Sequence, residues 1–583
     1  MNSAYIWSSF IVVFLNILSI EGNKIFSVID YGANSNDNLD DSAAIQAAIN
    51  AAIRYGLPSI ADFPAGNYTV ASTITIVNAT NLTVKGVGSD QTFLIGTNPV
   101  SIFFAQRCHG LKFTLFSIDY DPLPFTAGYV VDVHEKYIDV QIVPPHQANI
   151  NQKVQAILRY DPGNMRPAFG SNTYEIYQTP PADVNTSLVS PGVLRLPLAN
   201  PARFTKNDPI VARYAFTQHS MNGMDLTDIT VQSIVIYAAW EMGFPILRAR
   251  RLNINDYHVK RRNGRWMSTT MDCMHYTDAR EYISLTDSSC EAMGDDGLNV
   301  HGVLLEITKV IDSKTIIMQT NWGDLLDVGV GTHLEFTSHQ QPFTVHGNGT
   351  VASLVFNTVN SRKVSFTDPV TVNVGDWACV SDTPYVFIRN FTVSHNRARG
   401  VLLESRNIDI QQSIFNQTSG PAILIQPSLY WKEAPEARNV SLSKNLYLHN
   451  NEGIAQEGGI ITILPDPPQL VPVINDIRIE QSTFDFGQHS QGLLQSDNGN
   501  NIFISGNYIA VDHSEPLVLI CNSRNISANN NSVVNKQSTI DKYYVYDSRN
   551  PCNSSLSSLI DLPPSAFNST FGPPVIEKRF FSK

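Results

Sequence analysis

At 583 residues the chain is too long for one ordinary hydrophobic core, so it must hold several domains or one elongated repeat with insertions. An apolar fraction of 43% and a charged fraction of 16% exclude an intrinsically disordered chain. The formal net charge of −12 argues against nucleic acid or an anionic membrane as partner and is compatible with a neutral substrate such as a sugar.

From the N-terminus, the apolar run Tyr5 to Ile20 is followed at once by polar Glu21-Gly22-Asn23-Lys24. It is short for a membrane span, and although Lys and Arg are missing ahead of it, residues 1–22 read as a signal peptide. Twelve Asn-x-Ser/Thr sequons, Asn67, Asn439 and Asn525 among them, point the same way, to a secreted or secretory-lumen glycoprotein. No second apolar span appears, so the mature chain is expected to be soluble, with no membrane partner. Six cysteines are too few and too scattered for a disulfide scaffold or a zinc site. Cys273 and Cys290 could bridge neighbouring coils and Cys521 could pair with Cys552, with buried free thiols as the alternative for each.

The alternating stretch Ile25 to Gly32 predicts a strand and turn. Residues 41–53 predict an amphipathic helix with Ile45, Ile49 and Ile53 on one face and Asp40 or Asp41 as cap. A strand and turn, Ile60-Ala-Asp-Phe-Pro-Ala-Gly-Asn-Tyr, follow. Strand, helix and this turn together resemble the N-terminal cap of pectin-lyase-like right-handed β-helices, in which the helix covers the open end of the stack.

Short strands then recur between Asn, Gly and Ser. The pairs Arg389-Asn390, Arg406-Asn407, Arg438-Asn439, Asn475-Asp476, Asn500-Asn501 and Arg524-Asn525 each precede an alternating strand, the last three 25 and 24 residues apart. Asn tolerates the left-handed backbone that a coil corner demands, so the period predicts a solenoid. Two stretches break it, one rich in proline and one in β-branched residues, and both predict antiparallel β insertions. The expected class is all-β: a right-handed parallel β-helix with an N-terminal capping helix and two inserted small antiparallel β-barrel lobes. The expected boundaries are 1–22 for the signal peptide, 23–134 for the cap and first coils, 135–222 for the first lobe, and 223–302 for the coils bearing the carboxylates. The second lobe takes 303–384, the C-terminal coils 385–540 and a surface tail 541–583.

The chemistry is expected at Cys290 to Gly302. Asp295 and Asp296 sit between glycines, and Asp272 lies 23 residues upstream, about one coil. Neighbouring coils stack about 4.8 Å apart, so the three carboxylates would share one patch and push their proton affinities apart. An acid and a base side by side suit glycoside hydrolysis. Asn299 and His301 fall on one strand face, and His275 lies three residues beyond Asp272, so all three could contact a sugar. Arg397 and Arg399 alternate on a strand-like segment, with Glu404 nearby, and could grip hydroxyls or fix the carboxylates. Trp431 with Glu433 suggests an aromatic platform beside an acceptor, and Trp240-Glu241 is a similar pair. The basic run Lys260 to Arg265 reads most simply as a solvated loop.

Across the cap, 272–275, 294–302, "HNRARGVLL" 395–403 and "GPAILI…YWKEA" 420–434, nearly the whole mature chain resembles glycoside hydrolase family 110. That resemblance implies an exo-acting α-1,3-galactosidase that inverts configuration and takes an oligosaccharide with terminal galactose, without metal or organic cofactor. It implies Asp272, Asp295 and Asp296 as catalytic. Analogy with polygalacturonases makes Asp295 the acid, with Asp272 and Asp296 holding the water, the acid and base carboxyls being expected about 6.5–9.5 Å apart. A polygalacturonase-like enzyme of acidic polysaccharide and a non-catalytic carbohydrate-binding β-helix are the alternative readings.

Overall fold

The computed structural model describes residues 23–535 apart from short internal segments, the longest being 168–174 and 321–327, together with strands at 544–546 and 567–571. Residues 1–22, expected as a signal peptide, lie outside the described residues.

Alternation of apolar and polar residues along each short strand sends every second side chain inward, and the strands stack parallel and in register to bury them. One inward ladder runs Ile229, Leu252, Ile283, Val386, Ile408, Val440, Ile477, Ile502, Ile526, each opposite the next. Each such aliphatic contributes about 1.5–3 kcal/mol on burial. Phe415, Tyr447 and Phe484 stack face to face at centroid spacings of 5.4 and 4.5 Å. The result is a right-handed parallel β-helix, built from a sheet that has 32 strands among the described residues.

Corners follow the asparagine pattern. Asn390, Asn407, Asn439, Asp476, Asn501 and Asn525, the second residues of the six pairs, all have φ between 51° and 60°. Buried Asn445, Asn507 and Asn531 accept backbone N–H bonds from Ser413, Ser482 and Asn507 one coil away, which satisfies donors that the turn leaves unpaired.

At the N-terminal end the helix Ser42–Tyr55 buries Ile45, Ala48, Ile49 and Ala52 against the first coil. Asp41 occupies the capping position, yet its carboxylate makes no cap bond and accepts from the N–H groups of Asn34 and Thr69. The neighbouring Asp40 accepts from the N–H of Ser42. The helix is thereby tied to the sheet it covers.

The two insertions differ in closure. Residues Leu305 to Val380 form a closed six-stranded antiparallel barrel with its own core of Ile307, Ile316, Met318, Leu334, Phe336 and Val364. The first insertion, expected as a barrel from residue 135, is an eight-stranded antiparallel sheet that starts at Phe125 and does not close among the described residues. Its edge strand Arg166–Pro167 is two residues long and ends in a proline that has no N–H to extend a ladder. At the other end of the chain, where a surface tail was expected, Tyr544–Tyr546 and Phe567–Phe571 pair in parallel with earlier coils. Among the described residues no helix is long and apolar enough to cross a membrane.

Buried ion pairs fasten the lobes to the coils. Arg406 donates to Glu335 of the barrel at 2.6 Å and to Glu436 at 2.7 Å, and Arg166 of the first lobe meets Glu452 at 3.2 Å. Arg406→Ala would strand two carboxylates beside an emptied site, so it is expected to cost about 3–5 kcal/mol of stability, read as a fall in denaturation midpoint.

Candidate active site

The expected stacking is present. Strands Met274–Thr277, Leu298–Val303 and Val401–Glu404 lie side by side in parallel, with His275 opposite Asn299 and Thr277, His301 and Glu404 in one row. The turns that precede the first two of these strands carry the acids. Asp272, Asp295 and Asp296 each bring an oxygen within 4.8 Å of the others, and the Asp296 N–H donates to Asp272 Oδ1 at 3.2 Å. That spacing is shorter than the roughly 6.5–9.5 Å expected for an acid and base on opposite faces of a sugar. Stacking within one strand spacing forces it. A disulfide between Cys273 and Cys290 binds the coil of Asp272 to the one that leads into Gly294. Cys521 is disulfide-bonded too, while Cys108 and Cys379 are buried free thiols.

Two close approaches explain the flanking glycines. A Cβ on Gly294 would overlap the Thr270 carbonyl, and one on Gly297 would overlap the Gly400 carbonyl and Val393.

Arginines from the next coil hold the acidic pair. Arg397 Nη1 donates to Asp295 Oδ1 at 2.8 Å, and Arg399 meets Asp296 twice, through its backbone N–H at 2.8 Å and its guanidinium at 2.9 Å. The two arginines were expected to alternate along a strand and do not. Residues 395–400 form a turn with Ala398 at φ 81°, the strand starting only at Val401, and this turn aims both guanidinium groups back at the acids.

On the other side His275 Nδ1 lies 2.8 Å from Asp272 Oδ2, and its Nε2 is 2.9 Å from His301 Nε2. His301 Nδ1 faces the Gly302 carbonyl at 2.8 Å, and a carbonyl only accepts, so His301 carries its proton there. His275 therefore donates from Nε2, and a further proton is shared between its Nδ1 and Asp272. Burial lowers the proton affinity of His301, as it opposes charge on His275, but the bond and charge of Asp272 outweigh it and raise His275.

Burial also dominates the acids. It raises Asp272 against the hydrogen bond from His275, and raises Asp296 well above the carboxylate range, with Arg399 pulling it back and Asp295 and Asp272 adding repulsion. The three side chains differ in access: Asp296 is 3% exposed, Asp272 7% and Asp295 15%.

Glu404 is fully buried, neither carboxylate oxygen has a hydrogen-bond partner among the described residues, and burial followed by repulsion from Glu433 holds its proton affinity well up. Asn299 is buried with its Oδ1 likewise unpartnered. Glu433 Oε1 lies 3.7 Å from His301 Nε2, so it joins the site. Trp431 stands at its margin, 55% exposed and packed edge-on against Tyr430. Two sets of side chains have the donor atoms to hold a divalent cation, the aspartate trio and His275, His301 and Glu433, each within 4.8 Å.

Three groups were missing from the expected site. Glu241, noted in the sequence only as part of an aromatic–acid pair, lies one coil before Asp272; its carboxylate is 3.4 Å from His219 Nδ1, and Arg213 of the first lobe donates to the Thr270 carbonyl. Burial lifts Glu241 to about 7, helped by Asp272 and opposed by Arg213, and burial drops His219 to about 4.

Comparison with known proteins gives the following. Residues 25–99 match the family model "Rhamnogalacturonase A/epimerase, pectate lyase-like". The chain is related to proteins named alpha-1,3-galactosidase over most of its length. It is 24% identical to alpha-1,3-galactosidase A of Shewanella woodyi, over 80% of this chain and 83% of that one, and 23% identical to alpha-1,3-galactosidase B of Bacteroides thetaiotaomicron, over 83% and 86%. Among solved structures, the catalytic unit of a GH87 alpha-1,3-glucanase from Streptomyces thermodiastaticus aligns at TM-score 0.47 and 11% identity, covering 95% of this chain and 68% of that one. The family 28 exopolygalacturonase of Yersinia enterocolitica aligns at 0.47 and 11%, covering 95% and 79%.

Because Glu241 binds its proton more tightly folded than unfolded, from an ordinary value of 4.5 to about 7, its own contribution to stability is fully present below pH 4.5 and is lost as pH rises through that window, while His219, lowered to about 4, works in the opposite direction. Glu241→Gln should remove roughly 3 kcal/mol of that loss, seen as a melting temperature that gains on the unmodified protein as pH rises from 4.5 to 7.

Proposed function

We propose that this glycoside hydrolase is secreted and removes terminal α-1,3-linked galactose from oligosaccharides or glycoconjugates by single displacement at the aspartate trio. The observation that carries the reading is the convergence of three carboxylates from two coils on one patch, flanked by acceptors suited to hydroxyls. Relatives named for that activity over most of the chain support the substrate. A neutral sugar also fits the charge. The nearest guanidinium groups already bind Asp295 and Asp296, where a uronate carboxylate would have to compete for them.

Asp295 is the acid in this scheme, because it is the most accessible of the three and can reach a glycosidic oxygen. Asp272 and Asp296, joined through the Asp296 N–H, hold and deprotonate the water. Burial and mutual repulsion keep the cluster from ionising fully and place its proton on Asp272 or Asp296 at rest, so the scheme requires that proton to pass to Asp295 within the cluster before the glycosidic bond breaks, which also leaves a carboxylate to take the proton of the water. The unpartnered oxygens of Glu404 and Asn299 accept from sugar hydroxyls, and Trp431 packs against an apolar ring face.

The oxygen spacing within 4.8 Å favours a second reading, double displacement through a glycosyl-enzyme, since retaining enzymes hold their carboxyls about 5–5.5 Å apart. Proton NMR of the first sugar released from an α-1,3-galactosyl glycoside decides between them: β-galactose is expected, and α-galactose would establish the second. With the same substrate, Asp272→Asn, Asp295→Asn and Asp296→Asn should each lower kcat by about 10²–10⁴-fold. Near-full activity in any of them, or hydrolysis of polygalacturonate instead, would overturn the scheme.

A further inference from the structure

Away from the trio, a cavity of about 700 Å3 opens where the first coils, the first lobe and the basic loop meet. This is within the ~300–1,000 Å3 range of sites that enclose small ligands. Its floor is an outward row, Thr69 opposite Ile95 and Ile95 opposite Asp119, with Asn67 alongside. Gln147 of the lobe forms one wall, its amide donating to Asp121 at 3.0 Å. Arg262 and Arg265 form another. They are not a solvated loop: both bind the buried Asp119, at 3.1 and 2.7 Å, and Arg262 lies over the Phe93 ring at 5.2 Å. The two arginines and the two aspartates cancel, so the lining suits a neutral polar ligand.

Asn67-Tyr68-Thr69 is itself an acceptor sequence for N-linked sugar. Tyr68 is fully buried, which sends Asn67 and Thr69 outward together on the cavity side. The Asn67 backbone is clamped by Asn36, which donates its N–H to the Asn67 carbonyl at 2.8 Å and accepts the Asn67 N–H at 3.0 Å. Thr69 is clamped in the same way by Asp41. The attachment point is rigid and aimed at a neutral, hydrogen-bonding recess.

We propose that Asn67 carries an N-linked glycan whose first sugars lie in this cavity and brace the first lobe against the coils. The inference rests on the secretory reading above. Attachment supplies a high effective concentration, so modest contacts suffice to dock the sugar.

The full chain, secreted from a eukaryotic host, tests it. Peptide mass spectrometry is expected to find sugar on Asn67, and native treatment with an amidase or endoglycosidase to remove it at least about ten-fold more slowly than from exposed Asn439 and Asn525. Denaturation should abolish the difference. Gln147→Ala should leave occupancy unchanged and speed native removal, while Thr69→Ala should lose the sugar and lower the melting temperature. Sugar on the other sequons but none on Asn67 would overturn the proposal and leave secretion standing; sugar on none would overturn both. Removal at Asn67 as fast as at Asn439 would overturn the docking.

Discussion

The in-register parallel ladder between successive coils is the constraint on which the site depends. It places a residue directly opposite its counterpart one coil later, whatever the loop between them does. Met274 to Thr277 therefore face Leu298 to His301, which face Val401 to Glu404, although the second lobe intervenes between the last two. Acids at the turns before these strands are brought together by backbone hydrogen bonding, with no attraction of their own. Gly294 and Gly297 permit the backbone approach, and the Cys273–Cys290 bridge pins it.

Such a ladder stacks like charges, and the compensation comes from the same geometry. One coil on, the turn 395–400 returns Arg397 and Arg399 to Asp295 and Asp296. On the opposite side His275 and His301 carry a hydrogen-bonded chain from Asp272 to the Gly302 carbonyl. The acids thus lie between a guanidinium row and an imidazole row. What neither row cancels is desolvation, and it is burial that leads in raising Asp272, Asp296 and Glu404 alike. A proton-loaded cluster is a consequence of placing these side chains under cover.

Much of this architecture is written locally in the chain. A left-handed corner needs a residue that tolerates positive φ, and the Asn of each Arg-Asn or Asn-Asn pair marks it in the sequence. The trio is legible for a related reason, since two acids between glycines one coil from a third leave few other arrangements. Glu241 was harder to see because its coil is longer and its partners, His219 and Arg213, come from the end of an insertion with no fixed period. The arginines are legible in the sequence but their path is not: alternation in Arg397-Ala-Arg399 suits a strand, and only the positive φ of Ala398 turns it into a clasp. Closure of the first lobe depends on edge strands of two to four residues, too short to leave a pattern.

A bare β-helix presents a nearly flat outer face, and a flat face keeps its side chains wet. In water, carboxylates 4–5 Å apart repel by only about 1 kcal/mol, and ordinary proton affinities would follow. Cover has to come from elements outside the coils. The first lobe reaches the trio's own turn through Arg213 and the Thr270 carbonyl, and is held to a later coil by Arg166 and Glu452. The barrel is anchored through Glu335 to Arg406, two residues from Glu404. The antiparallel pairing of Gly302 and Val303 with Ala434 and Glu433 folds a further loop over the same face. The first lobe and this loop therefore meet the turn and strand that carry the acids, where burial leads in setting how strongly Asp272 and Asp296 hold their protons.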